Sequence, residues 1–168
     1  MEEQEGLVYD VRKISYGKVV NSIARHNICF ADFDQESDIP AGKGTVVNFA
    51  SLPHLNNLRN ALPDYLGDLS ENLYAEGNKY YDIKKCGIGY HGDVERRIVI
   101  GTRLGSPMNL SYLWFHQSKP IGEKVTIKLE HGDMYIMSDE AVGYNWKKKL
   151  TPRLRHAAGC EKYTKIPE

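Results

Sequence analysis

The chain lacks an excess of charge of either sign. Lys plus Arg and Asp plus Glu are both 22, so the net charge is zero with histidine neutral. A protein that binds nucleic acid with its whole surface usually shows a basic excess, so any basic surface here must be local. Cysteine is scarce and odd in number. Cys29, Cys86 and Cys160 show no Cys-x-x-Cys spacing, which argues against a disulfide framework and for reduced thiols in an intracellular compartment, cytoplasm or nucleus. There is no apolar run long enough for a membrane span or a signal peptide, and the opening MEEQEG is acidic and polar, so no membrane partner is expected. Internal repeats and long low-complexity linkers are also missing. What remains is an ordinary globular composition at a length that suits one domain able to bury a core.

Two halves of that domain differ in pattern. In residues 1–77, Leu7, Tyr9 and Val11 alternate with polar residues, as do Ile28 and Phe30, so short strands are expected over 6–33. Residues 34–43, with Pro40 and Gly42, read as a loop. Thr45–Phe49 is a strand candidate. Two helices should follow. One opens at Pro53 with Leu55, Leu58 and Leu62 at helical spacing; the other opens at Pro63 with Leu66, Leu69 and Leu73 and stops at Gly77. Residues 78–168 turn to strands: Asn78–Tyr90, Arg97–Leu104 (RIVIGTRL), Leu110–Phe115 (LSYLWF), Lys124–Leu129 (KVTIKL), Met134–Met137 (MYIM) and the shorter Arg153–Ala158 (RLRHAA). This order predicts an α+β fold in which a β-sandwich or barrel carries the site.

The chemistry concentrates at His91-Gly92-Asp93. Two ligand-type residues two apart on an extended strand point to the same face. With one distant histidine, His156, they make the set that a facial site of two histidines and one carboxylate requires. The opposite reading is a surface turn, and a second His-Gly-Asp at 131–133 shows how easily the tripeptide arises. That copy precedes MYIM and looks like a turn starting a strand. It also lies too close to His156 for several strands to intervene, whereas His91 leaves room for about four. His156 itself, beside Ala157 and Ala158, is also compatible with a plain core histidine.

From Asn78 to Gly159 the chain resembles the AlkB-like branch of the 2-oxoglutarate/Fe(II)-dependent dioxygenases. The elements occur in order: Asn78 and Tyr80 as Asn-x-Tyr, then His91, Asp93 and a following Glu95, then a strand ending Leu104-Gly105. After an aromatic strand come Leu129 to Asp133 entering MYIM, and later His156. The phrases CGIGYHGDVERR, HGDMYIMSDEAVG and RLRHAAG look most like small AlkB-like proteins of large DNA viruses. The resemblance implies a double-stranded β-helix, or jelly roll, with the helices over 53–75 packed outside one sheet. It implies Fe(II) on His91, Asp93 and His156, with 2-oxoglutarate as chelating co-substrate and dioxygen as oxidant. Asn78 and Tyr80 would hydrogen-bond the co-substrate, with Tyr81 or Asp82 as replacements because the spacing to His91 is longer than usual. The implied reaction splits 2-oxoglutarate into succinate and carbon dioxide and hydroxylates a substrate C–H bond; an N-methyl carbon would leave as formaldehyde.

One departure from the family matters. The family's metal histidine is normally followed by arginines, the first of which anchors the far carboxylate of 2-oxoglutarate. No arginine follows His156 here; only Lys162 and Lys165 do. Lysine lacks the bidentate fork. Arg103 is the alternative. Val99, Gly101 and Arg103 share one strand face, and a charge inside a barrel must be paired. An Arg103→Ala change is expected to weaken 2-oxoglutarate by about 3–5 kcal/mol if that pair is buried. Arg153 and Arg155 are further options, although Arg155 should face away from His156.

An N-alkylated nucleobase in DNA or RNA is the first expected substrate, as in demethylation or DNA repair. Glu95, Arg96, Trp146 and Lys147 are candidates to contact it. Trp146 sits in the polar YNWKKK, and Lys147–Lys149 with Arg153 and Arg155 form a local basic cluster that is either a solvated loop or a phosphate contact. A protein side-chain (prolyl or lysyl) hydroxylase on the same fold and a non-catalytic jelly-roll binding module are the alternatives. The neutral charge favours the first of these, and the missing arginine favours the second.

Overall fold

Alternation along His26–Ala31 (β3) buries Ile28 and Phe30 on one face of a short strand. The computed structural model describes residues 1–167, in two compact units, Met1–Tyr81 and the remainder from Asp82.

In the first unit, Glu2–Glu5 (α1) precedes a hairpin of Arg12–Ser15 (β1) and Lys18–Asn21 (β2). Its turn places Tyr16 and Gly17 at φ 49° and 74°, the double left-handed pair that a two-residue hairpin favours. β3 then pairs in parallel with Val46–Asn48 (β4) and antiparallel with Ala75–Lys79 (β5). Ile28, Phe30, Phe49 and Leu52 form the core, with Leu55 packed against it. Leu55 comes from a single helix, Pro53–Leu66 (α2). Two helices were expected; instead Pro63 lies inside α2, and a 3-10 turn follows at Gly67–Ser70. Gly77, the expected helix stop, sits mid-strand in β5. A Cβ there would come within 2.7 Å of Ile28 Cγ2, so this glycine answers to strand packing rather than to helix termination. The acidic opening has a structural task too. His54 and Leu55 N–H groups donate to the Glu3 carboxylate at 2.8 and 3.0 Å, capping a helix whose own N-cap residue, Leu52, supplies no side-chain bond.

The second unit is mostly strand. Gly87–His91 (β6), Arg153–Gly159 (β11), Met108–His116 (β8) and Lys119–Leu129 (β9) form a four-stranded antiparallel sheet in the order β6-β11-β8-β9. Val99–Thr102 (β7) and Met134–Met137 (β10) form a separate antiparallel pair. Leu110, Leu129, Met137 and Val142 are buried together, with Val99, Tyr112, Tyr135 and Ala158 against them. That cluster joins the strand pair to one face of the larger sheet. The short helix Asp139–Val142 (α3) starts at Ser138, whose hydroxyl accepts from Ala141 N–H, and ends at Gly143 in the left-handed conformation. Glu161–Thr164 (α4) closes the described chain. The fold is α+β, dominated by sheet, and among the described residues no barrel closes.

Candidate metal centre

β11 runs antiparallel to β6 with His156 directly opposite His91. Directly opposed residues in such a pair project to the same face, so two imidazoles far apart in sequence meet. Their ring centroids are 4.4 Å apart. Asp93 arrives by a different route. Past His91 the chain passes so close to the end of α3 that a Cβ on Gly92 would lie 2.3 Å from the Gly143 carbonyl oxygen. Only glycine fits that crossing. Asp93 N–H then donates to the Val142 carbonyl at 3.0 Å, which turns the carboxylate back toward the histidines. His91 Nε2 is 3.7 Å from Asp93 Oδ1, and the ligand atoms of all three residues lie within 4.8 Å of one another.

The outward atoms of the three groups are already engaged. His91 Nδ1 is 2.8 Å from the Gly89 carbonyl, and His156 Nδ1 is 3.3 Å from the Ala141 carbonyl. A carbonyl only accepts, so in each ring Nδ1 carries a proton and Nε2 is the nitrogen left to bind a metal. Arg96 Nη1 donates to Asp93 Oδ2 at 3.3 Å, leaving Oδ1 on the histidine side. Burial and the neighbouring His91 hold His156 down to about 4, against the opposing pull of Asp93, so its ring is neutral at ordinary pH, the form that binds metals. Exposure is graded: His156 is 7% exposed, and the side chains of Asp93 and His91 are 16% and 25% exposed. Two imidazoles and one carboxylate, each oriented by a second partner, fit a divalent transition metal that keeps open positions.

Tyr112 flanks the group, and Tyr135 packs against the same apolar cluster as Tyr112. Tyr112 stands opposite His156 on β8, with ring centroids 6.4 Å apart. Burial pushes its phenol up to about 12, and Tyr135 adds to the effect. Tyr135 on β10 lies across Gly101, where a Cβ would come within 2.2 Å of its ring. Burial raises the Tyr135 phenol, and the Arg103 charge acts against that rise. Sequence reasoning missed both tyrosines. Their signal was the alternation of LSYLWF and MYIM, in which each tyrosine shares a face with a core residue.

The other expected residues sort by place. Arg103 lies just past β7, donates from its guanidinium to the Ser106 carbonyl and acts on Tyr135. Val99 and Gly101 do share the inner face. Arg155 is corrected: it alternates with His156, so its guanidinium lies on the far face of β11, 4.2 Å from the Phe115 ring centroid and 5.0 Å from that of Trp146. It cannot meet a co-substrate on the metal face. Trp146 is also corrected. It is half-buried, wedged against Gly92 with Cδ1 2.7 Å from where a Cβ would be, so it braces the ligand turn. Arg96 orients Asp93 instead of contacting substrate. Glu95 and Lys147 are exposed, and Lys147 Nζ is 5.9 Å from the Trp146 ring centroid. Lys162 is exposed on α4 beside Tyr163. Arg153 pairs across to Phe115 on the same face as Arg155. Asn78 and Tyr80 belong to the first unit, where Asn78 Oδ1 accepts from Arg25 and from Asn27 Nδ2. The second His-Gly-Asp is the expected turn: His131 Nδ1 accepts from Gly105 N–H, and Asp133 Oδ2 accepts from Glu130 N–H.

A polar cleft of about 450 Å³ in the first unit is walled by Asp32, Asn56, Arg59, Asn60, Glu71 and Asn72. Its Arg59 holds Asp32 with both terminal guanidinium nitrogens and stacks on Phe49. The ligand chemistry lies in the second unit. Among the described residues, no helix is long and apolar enough to cross a membrane.

No family model matches the chain. It is similar to an uncharacterized protein of Acanthamoeba polyphaga mimivirus, with 48% identity over 165 residues. The match covers 98% of this chain and 64% of that protein, so the chain spans less than two thirds of its relative.

Proposed function

We propose that this chain is an AlkB-like Fe(II)- and 2-oxoglutarate-dependent dioxygenase built on a jelly roll, acting on an N-alkylated nucleobase. The observation that carries the reading is the convergence of His91, Asp93 and His156, with Nδ1 of both rings committed to carbonyls. Bound Fe(II) would supply a Lewis-acidic centre for chelation of the 2-oxo acid and for dioxygen chemistry. The protein's own part is to keep His156 neutral by burial, to present Nε2 of both imidazoles, and to aim Asp93 Oδ1 through Arg96. The order β6-β11-β8-β9 facing the β7–β10 pair is compatible with a jelly roll whose ligands sit on strand ends facing the interior.

The nucleic-acid substrate draws support from the basic residues. Gln117 N–H donates to the Lys149 carbonyl, which brings the Lys147–Lys149 loop to the β8–β9 turn beside Lys119 and at the Arg153 end of β11. A local cluster on a neutral chain suits phosphate contacts near one site. Two measurements test the reading. Anaerobic Fe(II) plus 2-oxoglutarate should give a visible charge-transfer band, and in air methylated oligonucleotides should stimulate succinate formation with release of formaldehyde. A binding module would show no band. A protein hydroxylase would show the band and succinate formation with peptide substrates but not with oligonucleotides.

A further inference from the structure

The face of β11 turned away from the metal centre carries two arginines without a counter-charge. Arg153 and Arg155 alternate with Leu154 and His156 and stand opposite Phe115 and Leu113 of β8. Both side chains are half-buried, and Nε of each is enclosed with no hydrogen-bond partner. The Arg155 guanidinium lies over the Phe115 ring and 5.0 Å from the Trp146 ring centroid. Aromatic faces attract a cation, but they supply no oxygen acceptor for its in-plane N–H groups. Among the described residues, no carboxylate forms an ion pair with Arg153, Arg155, Lys147, Lys148 or Lys149. The backbone concentrates the charge further. Gln117 N–H donates to the Lys149 carbonyl at 3.0 Å, which holds the lysine loop at the Arg153 end of the strand. Buried polar groups are normally hydrogen-bonded, and an exception needs an explanation such as an ion. Two such atoms on one strand face, with more cations beside them and no acid to balance them, fit an anion.

We propose that Arg153 and Arg155 bind a phosphoryl group on this outer face of the sheet. The site is separate from the metal centre and does not depend on the oxygenase reading. One guanidinium fork fills a carboxylate. A phosphoryl group carries more charge and more acceptor oxygens, so it can take a fork from each arginine. Lysine at either position would keep the charge and lose the planar fork. Trp146 gives the site a reporter, because its ring lies beside Arg155 on this face.

The test uses Trp114→Phe protein, which leaves Trp146 as the sole tryptophan. Its fluorescence is titrated at constant ionic strength with inorganic phosphate, a nucleoside monophosphate, dimethyl phosphate and acetate. Calorimetry on the unaltered chain repeats each titration. A saturable change with a phosphoryl compound is expected, and acetate should bind more weakly. The tightest of the three phosphoryl compounds assigns the source as free phosphate, a nucleotide's terminal phosphate or a backbone diester. Arg153→Gln and Arg155→Gln should each weaken binding about 10–100-fold, and Arg155→Lys should weaken it nearly as much. Lys128→Gln, which removes a lysine paired with Glu130 at 2.6 Å, should change nothing. Circular dichroism checks the fold of each variant, and Arg153→Gln and Arg155→Lys carry the test if Arg155→Gln unfolds. No saturable response to any phosphoryl compound, acetate binding as tight as phosphate, or an equal loss from Lys128→Gln overturns the proposal.

Discussion

His156 stands directly across the β6–β11 pairing from His91, and the chain bulges immediately beyond, between His156 and Ala158. A slip of one residue in β11 would turn His156 to the other face and bring Arg155 to the metal side. The register of this one pair therefore decides whether the chain has a metal centre.

Replacing His156 with alanine should abolish divalent metal binding while leaving the sheet folded. Calorimetry with Co(II) or Zn(II) measures the first, and far-ultraviolet circular dichroism the second. In the wild-type chain, metal at about 100 times its Kd should raise the unfolding free energy by about 2.7 kcal/mol. No such gain should be seen for His156→Ala. A thermal shift of equal size in both proteins would place the metal elsewhere.

Arg96 acts on the centre through Asp93 Oδ2. Arg96→Gln should cost about 10–100-fold in metal affinity, the range found when a partner that orients a ligand is lost. Arg97→Gln is a suitable control, because Arg97 stacks on Tyr144 at 3.8 Å and touches no ligand. Equal effects from the two changes would show general charge rather than orientation of Asp93.

Gly92→Ala forces a methyl group against the Gly143 carbonyl and the Trp146 ring. Overpacking of this kind costs about 1–3 kcal/mol, and here it also displaces the turn that carries Asp93. Chemical denaturation should show the lost stability, and calorimetry a weaker metal site. Unchanged values for both would mean that the crossing of Gly92 and Gly143 is looser than the geometry requires.

The metal-free protein should lose stability on mild acidification. His156 is held at about 4 when folded, below its ordinary value of about 6.5 when unfolded. Between those values the unfolded chain binds the extra proton. Stability is therefore full above about pH 6.5, falls as the pH drops toward 4, and loses nothing more from this group below that. The total is on the order of 3 kcal/mol. Urea denaturation across this range, compared with His156→Asn, measures it. A His156→Asn protein with the same pH slope as wild type would assign the effect to other groups.

Much of the second unit was legible because strands declare themselves by alternation. LSYLWF, KVTIKL and MYIM fall in strands, and of RIVIGTRL the middle, Val99–Thr102, does. The first unit was less legible. Helical spacing of Leu66, Leu69 and Leu73 imitated a second helix, but α2 ends at Leu66 and the chain enters β5 at Ala75. Local periodicity cannot see that Gly77 must pack against Ile28. Residue types and their order nominated His91, Asp93 and His156, and alternation alone set Arg155 opposite His156. Tertiary structure decided the rest. Trp146 looked like a ligand-stacking residue because its neighbours are polar, yet packing against Gly92 and Arg155 fixes it as a brace. Arg96 is drawn to Asp93 by a turn that no periodic pattern encodes. The meeting of His156 with Tyr112, and of Tyr112 and Tyr135 on one apolar cluster, depends on strand register and on the face to which the β7–β10 pair docks. Those are choices made by burying apolar surface among residues distant in the chain, and short-range pattern does not carry them.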